Sequence, residues 1–426
     1  MTMLKITRRG LFVGGAATLG AGLLTTRRVA RAGSSQPPRR LIIVMADGGW
    51  DPTATLDPKP GLATIDVLPG DIQDFGGLPV YVDGTRPAVT SFFEAHAAHC
   101  TVINGIGVQS LNHPDCAKRV LTGTSSDINA DIGAMTAHAL GQDLAAPYLV
   151  LGRNAFSGPY ASLAARAGTA NQLGTLLSAE QAFPVGSPAD FTPRLSLDAT
   201  EDDLIRNHVL TRAQREVDER GQFGRNERRL QDFIDALDRG DALAETADFG
   251  DFGYTGDLGF QAQLAANALE QGLCHSAQIE LGGWDSHDDN LDQIPLADAF
   301  FSGLHSLIDE LVARPGLDAG SRMIDDTVVL VVSEMGRTPK LNATGGKDHW
   351  PITSAMLIGG GLPGARVLGG TDDMLLPLNV DLDSGAPGDG GVQIQYGNFA
   401  AGVLEAVGVD AATYLPGVEP FRALCS

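Results

Sequence analysis

Residues 328–350 read VVLVVSEMGRTPKLNATGGKDHW. The first five are all valine or leucine, and a short unbroken apolar run of this kind is a strand buried on both faces of its sheet. The run stops at Ser333-Glu334-Met335-Gly336-Arg337, where a carboxylate, a glycine and a cation meet. Gly345, Gly346, Asp348 and His349 follow. In open α/β sheets ligands bind just outside the carboxyl ends of the strands. Glu334 and His349 therefore stand where chemistry is expected.

Two further stretches end in the same way. Residues 41–46 (LIIVMA) run into Asp47-Gly48-Gly49-Trp50-Asp51, and residues 277–281 (AQIEL) run into Gly282-Gly283-Trp284-Asp285-Ser286-His287. Three apolar strands, each followed by acids and glycine, predict that Asp47, Asp285, His287, Glu334 and His349 converge at one edge of one sheet. Oxygen and imidazole donors suit a divalent metal, with Zn, Mn, Mg or Ca as candidates. The absence of cysteine from these motifs argues against a thiolate site. Crowded carboxylates would raise one another's pKa. Each residue also has a plainer reading. Aspartate after a strand caps helices and satisfies turn amides, and a histidine beside a carboxylate is often a hydrogen-bonded surface residue. Trp50, Trp284 and Trp350 flank the motifs and either wall a cleft or pack beneath it.

The totals bound the rest. A chain of 426 residues, 43% hydrophobic, can bury a sizeable core. Lys+Arg total 30 against Asp+Glu 52, for a net charge of −22. Nucleic acid is excluded as a partner, since binding it needs basic stripes. The plain reading of the acidity is solubility. The four cysteines, Cys100, Cys116, Cys274 and Cys425, form no CxxC pair. They read as buried or spare thiols.

Residues 1–32 read as an address. Thr7-Arg8-Arg9-Gly10-Leu11-Phe12 is a twin-arginine signature, residues 11–24 are apolar and rich in Gly and Ala, and Ala30-Arg31-Ala32 fits a small-x-small cleavage site. This is the pattern of a Tat signal peptide, with the Tat translocase as partner during export and the periplasm or exterior as destination. The apolar stretch is too short to span a bilayer, and no later stretch spans one, so the mature form has no membrane span.

Residues 33–426 form one α/β domain. Strands are predicted at 41–46, 100–104, 148–151, 277–281, 328–332 and 354–358, and helices at 87–99, 132–140, 260–271, 296–312 and 396–407. Residues 51–82 read as a Gly/Pro/Asp-rich loop over the active edge. Residues 196–246 are charge-rich, with Leu204, Ile205, Val209, Leu210, Leu230, Phe233, Ile234 and Leu237 at helical spacing. They read as a helical insertion of two or three helices whose charged face is solvated. Alternating strands and helices give a mostly parallel sheet sandwiched by helices, joined by right-handed crossovers.

The twin-arginine segment, the Gly48-Gly49 turn with Asp57-Pro58-Lys59-Pro60, the block 282–287, and the block 333–339 with Gly346-Lys347-Asp348-His349-Trp350 together resemble the exported bacterial family of domain of unknown function 1501. That family is grouped with the alkaline phosphatase and sulfatase superfamily. The resemblance covers nearly the whole mature chain and implies an alkaline phosphatase-like fold with a metal-dependent hydrolase site. It matches Asp47, Asp285, His287, Glu334 and His349 to metal positions. It takes Thr122-Gly123 for the pair that opens a helix and places the nucleophile at Asn112 or His113, neither of which forms an alkoxide. His113 is then expected to orient substrate or act as acid or base. Arg337, or Lys118 and Arg119, would hold the anionic group. The implied substrate or ligand is a small anionic ester. The activity read from this is hydrolysis of a phosphate or sulfate ester. The alternative is a non-catalytic relative that uses the cleft to bind a ligand or a cell-envelope partner.

Overall fold

In the computed structural model, the residues described are 36–167, 199–220, 225–246 and 257–426. Residues 1–32, expected to be an export segment, and the expected cleavage site at 30–32 lie outside them. The central sheet has eight strands. In chain order they are β1 (Arg40–Asp47), β4 (Cys100–Gly107), β5 (Tyr148–Val150), β6 (Ala164–Arg166), β7 (Ser276–Gly282), β8 (Thr327–Val332), β11 (Ile352–Gly359) and β12 (Arg366–Gly369). A short hairpin of β2 (Asp71–Asp74) and β3 (Pro79–Val82), and the pair β9 (Gly336–Arg337) and β10 (His349–Trp350), lie outside this sheet. Across the sheet the order is β12-β4-β11-β8-β1-β7-β5-β6.

β1 sits between β8 and β7 and pairs in parallel with both. Its residues serve two cores. Ile42, Val44 and Ala46 join one apolar cluster, while Leu41, Ile43 and Met45 join the other. The first cluster is covered by helices α1 (Pro87–His96), α6 (Leu258–Glu270) and α7 (Gln293–Ala313); the second by α2 (His113–Thr122), α3 (Ile132–Leu140) and α8 (Tyr396–Ala406). A strand with helices on both sides must be apolar at every position, which is why its sequence does not alternate. The fold is thus a mixed α/β one with a large, mostly parallel sheet flanked by helices.

One strand departs from the parallel pattern. β11 runs antiparallel to both β8 and β4. Its beginning, not its end, therefore lies beside the carboxyl ends of the others, in register Ile352↔Gly107. This reversal brings His349, just upstream of β11, to the same edge as Asp47, Asp285 and Glu334.

Several boundaries differ from the sequence reading. The region 51–82 holds the β2–β3 hairpin, because its Asp/Gly/Pro content hides two short pairing segments. Gly105 and Gly107 continue β4 past the expected end at 104, and His113–Thr122 is a helix that the periodicity left unassigned. Residues 196–246 contain α4 (Ala199–Arg220) and α5 (Arg225–Thr246), with 196–198 and 221–224 outside the described residues. No helix among the described residues is long and apolar enough to cross a membrane. All four cysteines are free thiols.

Candidate metal centre

The site grows from three parallel strand ends. β1 closes with Asp47, whose Cα partner on β7 is Gly282, and Met45 is level with Val332 on β8. The turns after these strands interlock closely. Gly48 has φ +123°, and a Cβ there would lie 2.7 Å from the Asp285 nitrogen. Only glycine fits, for space and for backbone conformation. A Cβ at Gly346 would meet the His287 carbonyl at 2.0 Å, so the glycines of the 345–349 stretch let that loop lie against the 282–287 turn.

Asp285 is the centre. Its Oδ1 lies 3.1 Å from His287 Nε2, 3.4 Å from His349 Nε2 and 3.5 Å from His113 Nε2. His287 Nε2 and His349 Nε2 are 2.8 Å apart. Each of these imidazoles has its other nitrogen against an acceptor. His113 Nδ1 is 2.7 Å from Glu334 Oε1, His287 Nδ1 is 3.0 Å from Asp348 Oδ1, and His349 Nδ1 is 2.6 Å from the Leu111 carbonyl. An acceptor at Nδ1 draws the proton there and leaves Nε2 as a lone pair. Three lone pairs then face one carboxylate oxygen, an arrangement that repels itself unless a cation or proton intervenes. His113 Nε2 is buried and has no hydrogen-bond partner.

Supporting groups hold this arrangement. Glu334 is fully buried, and its Oε1 also accepts the Gly48 amide at 2.9 Å. Asp47 Oδ1 accepts from Asn154 Nδ2 at 2.6 Å. Lys347 and Asp51 form a fully buried pair at 2.8 Å behind the 345–349 loop. Gln293 Nε2 reaches the Gly49 and Trp284 carbonyls at 3.1 and 2.9 Å. Trp50 and Trp284 are buried and pack edge-to-face with each other and with Phe300 of α7, so they floor the site and do not wall it. Trp350 donates to the Leu375 carbonyl at 2.9 Å.

The electrostatics separate the two aspartates. Burial raises the Asp47 pKa, and the charge of Glu334 adds to it. Burial would also raise Asp285, but the hydrogen bond and charge of Arg337, with His113 and His287, outweigh it and hold the carboxyl below its ordinary value. The expected mutual elevation of the carboxylates therefore fails at Asp285, because a buried guanidinium stands behind it. The His113 pKa is raised, chiefly by its bond to Glu334.

The family model for the protein of unknown function DUF1501 matches residues 38–414. The chain belongs to the DUF1501 family. No curated protein matches it. Solved structures similar to this DUF1501 chain include the PsFucS1 sulfatase from Pseudoalteromonas sp., at 10% identity over 92% of this chain and 72% of that one, with a TM-score of 0.39. The lipoteichoic acid synthase LtaP from Listeria monocytogenes matches at 12% identity over 91% and 75%, TM-score 0.39. A protein in the alkaline phosphatase superfamily from Vibrio parahaemolyticus matches at 10% identity over 89% and 68%, TM-score 0.37.

The remaining expected residues go elsewhere. Arg337 is fully buried, and its guanidinium donates to the carbonyls of Gly48, Gly49, Trp284 and Lys347 and to Asp285 Oδ1 at 2.8 Å. With those acceptors filled it cannot clamp a substrate anion; it positions Asp285. Asn112 is exposed and caps α2, its side chain accepting from the Asp115 amide at 3.2 Å. Gly123 closes α2 in the left-handed conformation, φ +71°, so Thr122-Gly123 ends a helix where the resemblance had it open one. Cys116 is a buried thiol pushed up to about 11, chiefly by burial. Lys118 is held by Asp115 and Asp127 at 3.1 and 2.6 Å, and Arg119 reaches the Val108 carbonyl at 3.2 Å.

Two residues that the sequence reading passed over reach the site. Asn154 binds Asp47, and Arg153, whose side chain is 76% exposed, lines a pocket of about 220 Å³ with Asp47, His113, Pro114 and Phe156. They stand three and four residues past the end of β5, within the turn that the same strand-end rule singles out.

Proposed function

We propose that this chain is an exported, metal-dependent, hydrolase-like protein whose His113, Asp285, His287 and His349 hold a divalent ion beside a pocket for a small phosphate or sulfate ester. The observation that carries this is the convergence of three Nε2 atoms on Asp285 Oδ1, each imidazole with an acceptor at its Nδ1. A nitrogen-rich donor set favours Zn among the candidates over the oxygen-seeking Mg, Ca and Mn. When bound, such an ion supplies Lewis-acid polarisation of an ester oxygen.

The protein's own groups divide the remaining work. Glu334 orients His113, and Arg337 keeps Asp285 ionised. Arg153 lines the pocket with a largely exposed side chain whose Nε lies 3.8 Å from Glu280 Oε1; its outer guanidinium nitrogens are the group placed to meet an anionic ester, since Arg337 is buried and Lys118 and Arg119 are held elsewhere. Asp47 has its Oδ1 occupied by Asn154 and its pKa raised, which suits Oδ2 to accept a proton from an attacking water. Water is the nucleophile in this reading. Asn112 has no nucleophilic oxygen, Cys116 is a buried thiol, and His113 is committed to Glu334.

That last point also favours a second reading, in which the cleft binds an anionic ligand without turning it over. Two measurements separate the outcomes. Bound metal is counted by elemental analysis on purified mature protein, and ester hydrolysis is assayed with Zn, Mn, Mg and Ca added in turn. Metal with turnover supports the hydrolase. Metal without turnover, but with anion-dependent stabilisation, supports the binding protein. Absence of metal at this site overturns the hydrolase, and absence of anion-dependent stabilisation as well overturns the binding protein. Export is tested by changing Arg8 and Arg9 to Lys: precursor retained in the cytoplasm supports the Tat route, and wild-type export refutes it.

A further inference from the structure

A second group of metal-type ligands lies on the helical layer. His96 is the last residue of α1, and His305 and Asp309 stand one turn apart on α7. His96 Nε2 is 3.4 Å from Asp309 Oδ1, and His305 Nε2 is 3.4 Å from Asp309 Oδ2. One nitrogen or oxygen from each of the three lies within 4.8 Å of the others. Two donors about 2.0–2.1 Å from a tetrahedral zinc stand roughly 3.3 Å apart, so the spacing matches a coordination edge.

The second observation is an orphaned atom. The His96 side chain is only 7% exposed, yet its Nε2 has no hydrogen-bond partner. The contact to Asp309 is close enough for an ion pair but misaligned for a hydrogen bond, which leaves a buried lone pair aimed into the cluster. A buried polar atom of this kind is costly unless something occupies it. Phe92 packs against both imidazoles, tilted on His96 and edge-on to His305, and shields the inner side, while Asp309 is exposed and leaves an outer position open.

We propose that His96, His305 and Asp309 form a second, independent divalent transition-metal site that ties the end of α1 to the middle of α7. Two imidazoles and one carboxylate suit Zn²⁺ and its neighbours in the first transition row. The site is far from the strand-end centre. His96 stands just before β4 and His113 just beyond its other end, about 23 Å of strand at 3.3 Å per residue. The proposal needs no catalysis and does not rest on the function proposed above.

The test uses untagged full-length mature protein, stripped with chelator and titrated with Zn²⁺. Elemental analysis after desalting gives zinc per chain. His305→Gln and Asp309→Asn are each expected to lower the count by one while retaining the strand-end metal. The pair Asp285→Asn with His349→Ala is expected to keep the helical zinc, and in that background added Zn²⁺ should raise the melting temperature. The rise should vanish when His305→Gln is added. Both test positions on α7 are partly or fully exposed, so the variants fold. Equal zinc counts in wild type, His305→Gln and Asp309→Asn would overturn the site, as would a melting shift that survives His305→Gln.

Discussion

The strand-end cluster and the helical cluster use the same residue types and are built differently. At the strand ends every imidazole has an acceptor at Nδ1: Glu334, Asp348 or the Leu111 carbonyl. The central carboxylate is itself fixed by a buried arginine. On the helices the ligands come from an i,i+4 pair and one partner across a packed interface, and the carboxylate is exposed. The difference is preorganisation. Acceptors behind ligands fix tautomer and direction before an ion arrives, so the strand-end site should bind more tightly and tolerate change less. The helical site gains its ligands from packing alone.

The contrast is broken most severely at Arg337. Arg337→Ala leaves four carbonyls without their donor around a buried cavity, and the half-exposed Asp285 without its cation, and is expected to cost about 3–5 kcal/mol in stability. Urea denaturation measures this, and a loss below about 1 kcal/mol would mean that the guanidinium is not the frame of the site.

Asp131 supplies a buried carboxyl with purely structural partners, capping α3 through the Ala134 amide at 2.8 Å and accepting the Phe156 amide at 2.6 Å. Burial pushes its pKa up to about 6. In the unfolded chain the proton leaves near the ordinary value of 3.8. Between pH 4 and 6 the folded state therefore holds the proton more firmly, so stability from this group falls as pH rises through that window and is flat above it. The full loss is about 3 kcal/mol. Denaturation from pH 4 to 7 should show this component in wild type and lack it in Asp131→Asn.

Glu334→Gln tests the role of the acceptor directly. Zinc affinity at the strand ends should fall about 10–100-fold, read by calorimetry on chelator-stripped protein, with the helical site unchanged. Unchanged affinity would refute the assigned imidazole tautomers. The smallest effect belongs to the helical cluster without metal: Asp309→Asn should shift apo stability by no more than about 0.5 kcal/mol, against its loss of one zinc when metal is present.

How much of this was legible in sequence follows from what kind of contact each feature depends on. The strands at 41–46, 277–281 and 328–332, and the acids that follow them, were readable because burial on both faces leaves an unbroken apolar run and the strand-end rule needs only local order. Arg337 was misread because its acceptors are backbone carbonyls of Gly48, Gly49 and Trp284. Carbonyls leave no residue-type signature. The helix at 113–122 was missed because Asn112, His113 and Pro114 read as motif chemistry while they serve as its cap and first turn.

By itself the sequence determined the α/β class, the three strands that meet at the site and the five acids and histidines expected there, since each follows from periodicity and neighbours along the chain. Tertiary structure decided what those residues do. Only the antiparallel course of β11 carries His349 to the shared edge, only folding sets His113 between Glu334 and Asp285, and only the packing of α1 on α7 brings His96 to His305. These are pairings between distant parts of the chain, and their geometry is set by which helix and strand faces can be buried together, a choice made by the whole core and recorded at no single position.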